Sequence, residues 1–241
     1  FLAKLLLQLG FKPRVVGLTV FFIIFGTNLF YYTIYEPSMS HVYSFCSISV
    51  FLFYARKALL TSNTRAVLLA SFSLGLTALI RPVNGIVLLG VPVVVGGLVE
   101  TLTGIESLFH KKKVLFTGAL VAVLVMSLQP LVYLIQTGKP FVWSYQEEGF
   151  NFLSPEFANV LFSYRKGLFI YCPVLMLAVV GIIRGASVRK PGKLEAGVFL
   201  LLISWVIASW WMWFYGGCYG HRAFIEFYPF FALGLAYIFS H

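Results

Sequence analysis

Apolar residues run along this chain in stretches broken by short polar intervals. The runs fall at about 15–32, 42–54, 66–80, 85–99, 114–135, 168–183, 197–215 and 224–239. Several approach the roughly 20 apolar residues that cross a bilayer core of about 30 Å. The pattern therefore predicts about eight transmembrane helices. The pair 66–80 and 85–99 is separated only by Arg81-Pro82-Val83-Asn84. It reads either as two tilted spans or as one broken, re-entrant element. Pro82 lacks an N–H and disfavours helical geometry at Arg81, so a break there is natural.

One interval departs from this rhythm. From Gln136 about thirty residues pass before the next apolar run. Ser154-Pro155 reads as an N-cap followed by proline at the first helical position. Phe157, Val160 and Leu161 then recur at helical spacing, which predicts a short interfacial helix inside the loop.

Composition turns this pattern into a fold class. Of 241 residues, 60% are hydrophobic and only 11% are charged. A soluble domain of this size has too few interior positions to hide so much apolar surface. The expectation is an all-α, polytopic helical membrane protein, one transmembrane domain over 1–241 with an extracytoplasmic loop at 136–167.

The formal charge is +10. In a membrane protein such an excess reflects loop charges that set orientation, so it gives no warrant for a nucleic-acid partner. With eight spans, thirteen of the eighteen basic residues fall in alternate breaks, around Lys4–Arg14, Arg56–Arg65, Lys111–Lys113 and Arg184–Lys193. Basic short loops face the cytoplasm. Merging the two short runs into one span would put Lys111–Lys113 and Lys190–Lys193 on the side opposite Arg56–Arg65 and spoil the pattern. The remaining breaks, which hold Glu36, His41, Arg81, Asn84, Glu147, Glu148, Arg165, Lys166, His221, Arg222 and Glu226, are then expected outside. Chemistry is expected on that face. Trp205, Trp210, Trp211 and Trp213 crowd the same boundary, and an aromatic belt accounts for them. Cys46, Cys172 and Cys218 are odd in number and lack metal-ligand spacing, so free thiols are expected, with room for one disulfide.

Four stretches can carry chemistry. In Tyr35-Glu36-Pro37-Ser38-Met39-Ser40-His41, either Ser38 or Ser40 caps the next helix, or Glu36 and His41 face an outer cavity to bind hydroxyls or move a proton. Arg81 either snorkels to lipid phosphate or grips a substrate phosphate, with Asn84 in support. In the long loop, Arg165 and Lys166 follow Tyr164 at the edge of the sixth span, and Glu147 and Glu148 are either a solvated turn or a carboxylate for the site. Last, Gly216-Gly217-Cys218-Tyr219-Gly220-His221-Arg222 packs three glycines into five residues, a turn through which backbone can approach a ligand. Arg222 and Glu226 are four apart, which on an α-helix predicts a shared face. The two then form a salt bridge, or Glu226 holds an Arg222 that faces phosphate. P-loop, GxGxxG, HExxH and GxSxG patterns are absent.

At Glu36–His41, Gly75–Asn84, Ser163–Pro173 and Trp213–Arg222 the chain resembles bacterial multi-spanning glycosyltransferases of the GT-C type, the dolichyl-phosphate-mannose-protein mannosyltransferase-like group. The resemblance is spread over positions 30–230. It implies a hexosyltransferase of the bacterial cytoplasmic membrane, active on the extracytoplasmic face. Its co-substrate would be a polyprenyl-phosphate-linked sugar, with no cofactor, and its acceptor an extracytoplasmic glycan, lipid or protein. Glu36, His41, Glu147 and Glu148 become catalytic candidates. Arg81, Arg165, Lys166, His221 and Arg222 become lipid-phosphate ligands, supported by Asn84, Tyr164, Tyr219 and Glu226. The family's usual catalytic carboxylate is an Asp in the first outer loop, and this chain contains no Asp. Either that loop precedes Phe1 in a longer protein, leaving this part inactive alone, or the chain is a divergent member. The competing expectation is a transporter or flippase for a lipid-linked or anionic substrate.

Overall fold

Local punctuation in the sequence divides the apolar runs into helices. The computed structural model describes residues 1–142, 148–187 and 192–240. Among them there is no strand, only one isolated antiparallel bridge between Phe150 and Trp210. In chain order the α-helices are α1 (Leu2–Gln8), α2 (Pro13–Phe25), α3 (Leu29–Ile34), α4 (Ser40–Thr61), α5 (Thr64–Ile80), α6 (Val91–Val95) and α7 (Leu98–Phe109). They continue as α8 (Lys112–Met126), α9 (Leu128–Thr137), α10 (Phe157–Phe162), α11 (Leu168–Tyr171), α12 (Val174–Ser187), α13 (Lys193–Ala208) and α14 (Tyr228–Phe239). Two 3₁₀ segments, Pro82–Gly90 and Arg222–Phe227, precede α6 and α14.

Turn chemistry accounts for the boundaries. Pro13 opens α2 at the first turn, where its missing N–H costs nothing. Ser62 takes a left-handed φ of 49° to close α4. The Asn63 side chain then caps α5 by accepting the Ala66 N–H at 3.0 Å, so α4 and α5 form a tight hairpin. Pro82 ends α5 as expected, with Arg81 extended at φ −152°, ψ 112°.

The segment that follows α5 returns alongside α4. Arg81 lies beside His41, near the start of α4. The carbonyls of Val94 and Val95 lie beside Arg56, near its end. The segment therefore runs back along α4. A 3₁₀ helix rises about 2.0 Å per residue, so Pro82–Val95 covers about 25 Å, against about 22 Å for the helical path from His41 to Arg56. Gly96 and Gly97, at φ 128° and 134°, then allow a 107° bend into α7. No side-chain-bearing residue takes such a corner without strain. Hydropathy had not marked α7 as an element.

Of the three helices long and apolar enough to cross a membrane among the described residues, the most buried is Arg222–Phe239, with 78% of its apolar window inside the structure. It packs against α2, α4 and α12. Its crossing with α12 is backbone to backbone, since a Cβ on Gly181 would meet the Gly234 carbonyl oxygen at 2.0 Å. By contrast Lys112–Thr137 rests on α5 along one side, and only 6% of its window is buried. Among the described residues three helices, Ser40–Thr61, Lys112–Thr137 and Arg222–Phe239, are long and apolar enough to cross a membrane. The bent pair Pro82–Val95 and Leu98–Phe109 makes a fourth if counted as one span.

Several local expectations need correction. α10 exists where the spacing placed it, but it starts at Phe157 with Glu156 as N-cap, two residues past Pro155. Neither Ser38 nor Ser40 caps α4, whose N-cap is Met39 without a side-chain bond. The seventh apolar run leaves the helix at Ala208, so Trp210, Trp211 and Trp213 belong to a loop. All three cysteines are free thiols.

Candidate functional site

Three residues far apart in sequence meet where α4 begins. Arg81 Nη1 donates to Glu226 Oε1 at 2.7 Å, and His41 Nδ1 lies 2.8 Å from the same oxygen. Each arrives by a separate device. His41 is the second residue of α4, Arg81 is held in the pre-proline corner, and Glu226 projects from the 3₁₀ turn before α14. The Glu226 side chain is 2% exposed and that of Arg81 23%. Such a buried carboxylate is tolerable only with cationic and hydrogen-bonding partners around it. His41 Nδ1 also lies 2.8 Å from Arg81 Nη1. A ring nitrogen holds either a proton or an in-plane lone pair. Nδ1 therefore donates to Glu226 or accepts from Arg81, one at a time, and the proton's position selects which.

The expected Arg222–Glu226 pair does not form. Arg222–Phe227 is a 3₁₀ helix, with three residues per turn, so positions four apart point about 120° away from each other. Arg222 Nη1 instead contacts Met39 Sδ at 3.4 Å. Among the described residues its buried Nε has no hydrogen-bond partner, which leaves donor capacity on a half-buried guanidinium.

Beside this cluster is a cavity of about 520 Å³. Arg81, Arg222, Glu226 and Glu148 line it, together with apolar and aromatic walls that include Ile80, Val83, Ile203, Val206 and Trp211. The loop wall at Glu148–Phe150 is stitched to the end of α13. The Gly149 carbonyl accepts from Trp211 N–H at 3.0 Å, the Ser209 carbonyl from Asn151 N–H at 2.6 Å, and the Ala208 carbonyl from Glu156 N–H at 2.9 Å. Phe150 packs edge-on to Trp210 at 4.9 Å. Trp210 and Trp211 thus shape the cavity, a role beyond an aromatic belt.

The other expected site residues lie off this cavity's lining. Glu36 accepts from Tyr31 OH at 3.1 Å, while its second oxygen is buried with no partner. Asn84 is fully buried with both amide atoms unpartnered. Arg165 stacks its guanidinium on Phe214, 3.5 Å from the ring centroid. Lys166 is half-buried next to it and Tyr164 is exposed. His221 sits between the rings of Tyr215 and Phe224 and donates through Nε2 to the Trp213 carbonyl at 3.0 Å. Burial pushes its pKa down to about 3, so it is a neutral imidazole at physiological pH. Glu147 and its neighbour Gln146 lie outside the described residues, as do Arg189 and Lys190 of the basic count.

A buried polar network escaped sequence reasoning. Tyr32 OH donates to the Tyr219 carbonyl at 3.1 Å and lies 2.9 Å from the Tyr219 N–H. The Asn28 amide donates to that carbonyl at 3.2 Å and accepts from Tyr228 OH. Cys172 Sγ accepts the Asn28 backbone N–H at 3.4 Å. This network ties the glycine turn before Arg222 to the break between α2 and α3. Its one sequence signal was the polar pair Thr27-Asn28 inside the first apolar run.

No family model matches this chain, and no curated protein and no solved structure was found to match it. The geometry of the site therefore carries the functional reading.

Proposed function

We propose that this chain is the membrane domain of a glycosyltransferase that moves a sugar from a polyprenyl-phosphate donor to an extracytoplasmic acceptor. It would cross the bacterial cytoplasmic membrane about eight times, with the Arg81 end outside. The observation that carries this reading is the cavity of about 520 Å³, whose lining combines apolar residues with Arg81 and Arg222. An isoprenoid phosphate has that same division, an anionic head on an apolar chain. The charge distribution along the sequence and the resemblance noted above point the same way.

The chemistry divides among residues on the cavity wall. An acceptor oxygen forms a bond to the sugar's anomeric carbon as the bond from that carbon to the phosphate oxygen breaks. The electron pair leaves with the phosphate, whose growing negative charge is met by guanidinium donors. Arg222 has donors to spare. Arg81 shares its charge with Glu226 and contributes less, unless His41 donates its proton to that carboxylate and frees it. The acceptor's proton passes to a carboxylate. Glu148 is exposed on the cavity wall, forms no ion pair among the described residues, and is assigned that role.

The test uses the full-length protein in proteoliposomes with a polyprenyl-phosphate-linked sugar and a hydroxyl acceptor. Arg222→Ala is expected to lower transfer by about a hundredfold or more, the usual loss on removing one oxyanion-stabilising donor, with membrane expression intact. Unchanged turnover in that variant overturns the assignment. Movement of the lipid-linked sugar across the bilayer without covalent product would favour a transporter instead.

A further inference from the structure

The opposite end of α4 carries a second cavity, of about 810 Å³, which the sugar-transfer reading does not use. We infer that it binds the phosphate headgroup of an anionic phospholipid. The walls come from the turn between α1 and α2, from α4, from the corner between α6 and α7, and from the end of α14. Three bases, Lys12, Arg14 and Arg56, line it against one acid, Glu100.

Arg56 is the informative member. It is half-buried, and its guanidinium donates to the carbonyls of Val94, Val95 and Gln8. Those carbonyls orient the charge without neutralising it. Among the described residues both ion pairs belong to the other end of the molecule. A half-buried cation without a counter-charge is costly. An anion entering between Arg56, Lys12 and Arg14 removes that cost.

The surroundings favour a lipid over free phosphate as the source of that anion. Leu18 lines the cavity, and Phe21 and Phe25 follow it three and seven residues on, so all three lie on one face of α2. They are 40%, 55% and 58% exposed. This apolar track starts at the basic cavity and runs along the helix, where an acyl chain attached to the headgroup would lie. Basic pockets between transmembrane helices are known to take such headgroups.

Native mass spectrometry and thermal unfolding of the purified full-length protein test this, with phosphatidylglycerol, phosphatidylcholine and glycerol 1-phosphate as probes. Phosphatidylglycerol is expected to stay bound and to raise Tm, and the other two are not. The double variant Lys12→Ala/Arg14→Ala should bind phosphatidylglycerol about thirtyfold more weakly, about fivefold per basic side chain. Lys57→Ala/Arg65→Ala removes the same charge from the same end but outside the cavity, and should bind like the parent. An equal loss in that control, or equal stabilisation by glycerol 1-phosphate, overturns the proposal. Because the readout is binding, the outcome is independent of whether the other end transfers sugar.

Discussion

At the start of α4, positive charge is met by a carboxylate inside the protein. Arg81 and His41 converge on Glu226 Oε1, so the cluster carries its own counter-charge. Fifteen residues further along the same helix, Arg56 finds only backbone carbonyls among the described residues. One end is electrostatically closed and the other is open. A closed cluster sets its geometry before any ligand arrives and can reassign a proton or a partner when an anion enters. An open one is completed from outside, by whatever anion the surroundings provide. By this contrast the two cavities, both lined by arginines, are different kinds of site.

The largest expected effect breaks the closed end. Glu226→Ala strips the buried counter-charge from Arg81 and His41 and should destabilise the protein by about 3–5 kcal/mol, seen as a lower Tm in detergent. A triple replacement of Arg81, His41 and Glu226 by apolar residues of similar volume should recover most of that loss. Failure to recover would mean the cluster does more than balance charge.

Next in size is a pH effect at the neighbouring His221. Its folded pKa of about 3 lies below the ordinary value of 6.5. The unfolded chain therefore binds the proton more readily than the folded one. Stability from this group is complete above pH 6.5 and declines as pH falls toward 3, by about 1.4 kcal/mol per unit. At pH 5 the loss is roughly 2 kcal/mol. His221→Gln should flatten the fall in Tm between pH 6.5 and 5, and a profile of unchanged slope would refute the assignment.

The smallest effect belongs to the open end. Arg56→Met removes a charge with no internal counter-charge, at the cost of donors to three carbonyls. The expected net loss is about 1–2 kcal/mol, smaller than for Glu226→Ala. A loss as large as that of Glu226→Ala would show that the two ends are not so different.

Much of this was legible in the sequence. The helical content followed from the apolar runs, the break at Arg81 from Pro82, and the short helix α10 from the spacing of Phe157, Val160 and Leu161. Arg81, Arg222, Glu226 and Glu148 all stand out in the sequence, and all four line one cavity. The misreadings have physical causes. The Arg222–Glu226 pairing presumed 3.6 residues per turn, and the segment is 3₁₀. The bend into α7 depends on Gly96 and Gly97 adopting positive φ, which hydropathy does not register. The Asn28–Tyr228–Tyr32 network hides in apolar runs, because one Asn and two Tyr barely change a window average.

Hydropathy and charge are local properties, and by themselves they determine an all-helical chain with segments long enough for a bilayer and its chemistry-bearing residues gathered in a few breaks. Burial of apolar surface and backbone hydrogen bonding within each segment suffice for that. Only the tertiary structure decided which acid meets which base. Glu226 finds its partners 145 and 185 residues away, through the backbone contact of α12 with α14 and the return of Pro82–Val95 along α4. No local spacing encodes such a meeting, since it depends on how whole helices pack.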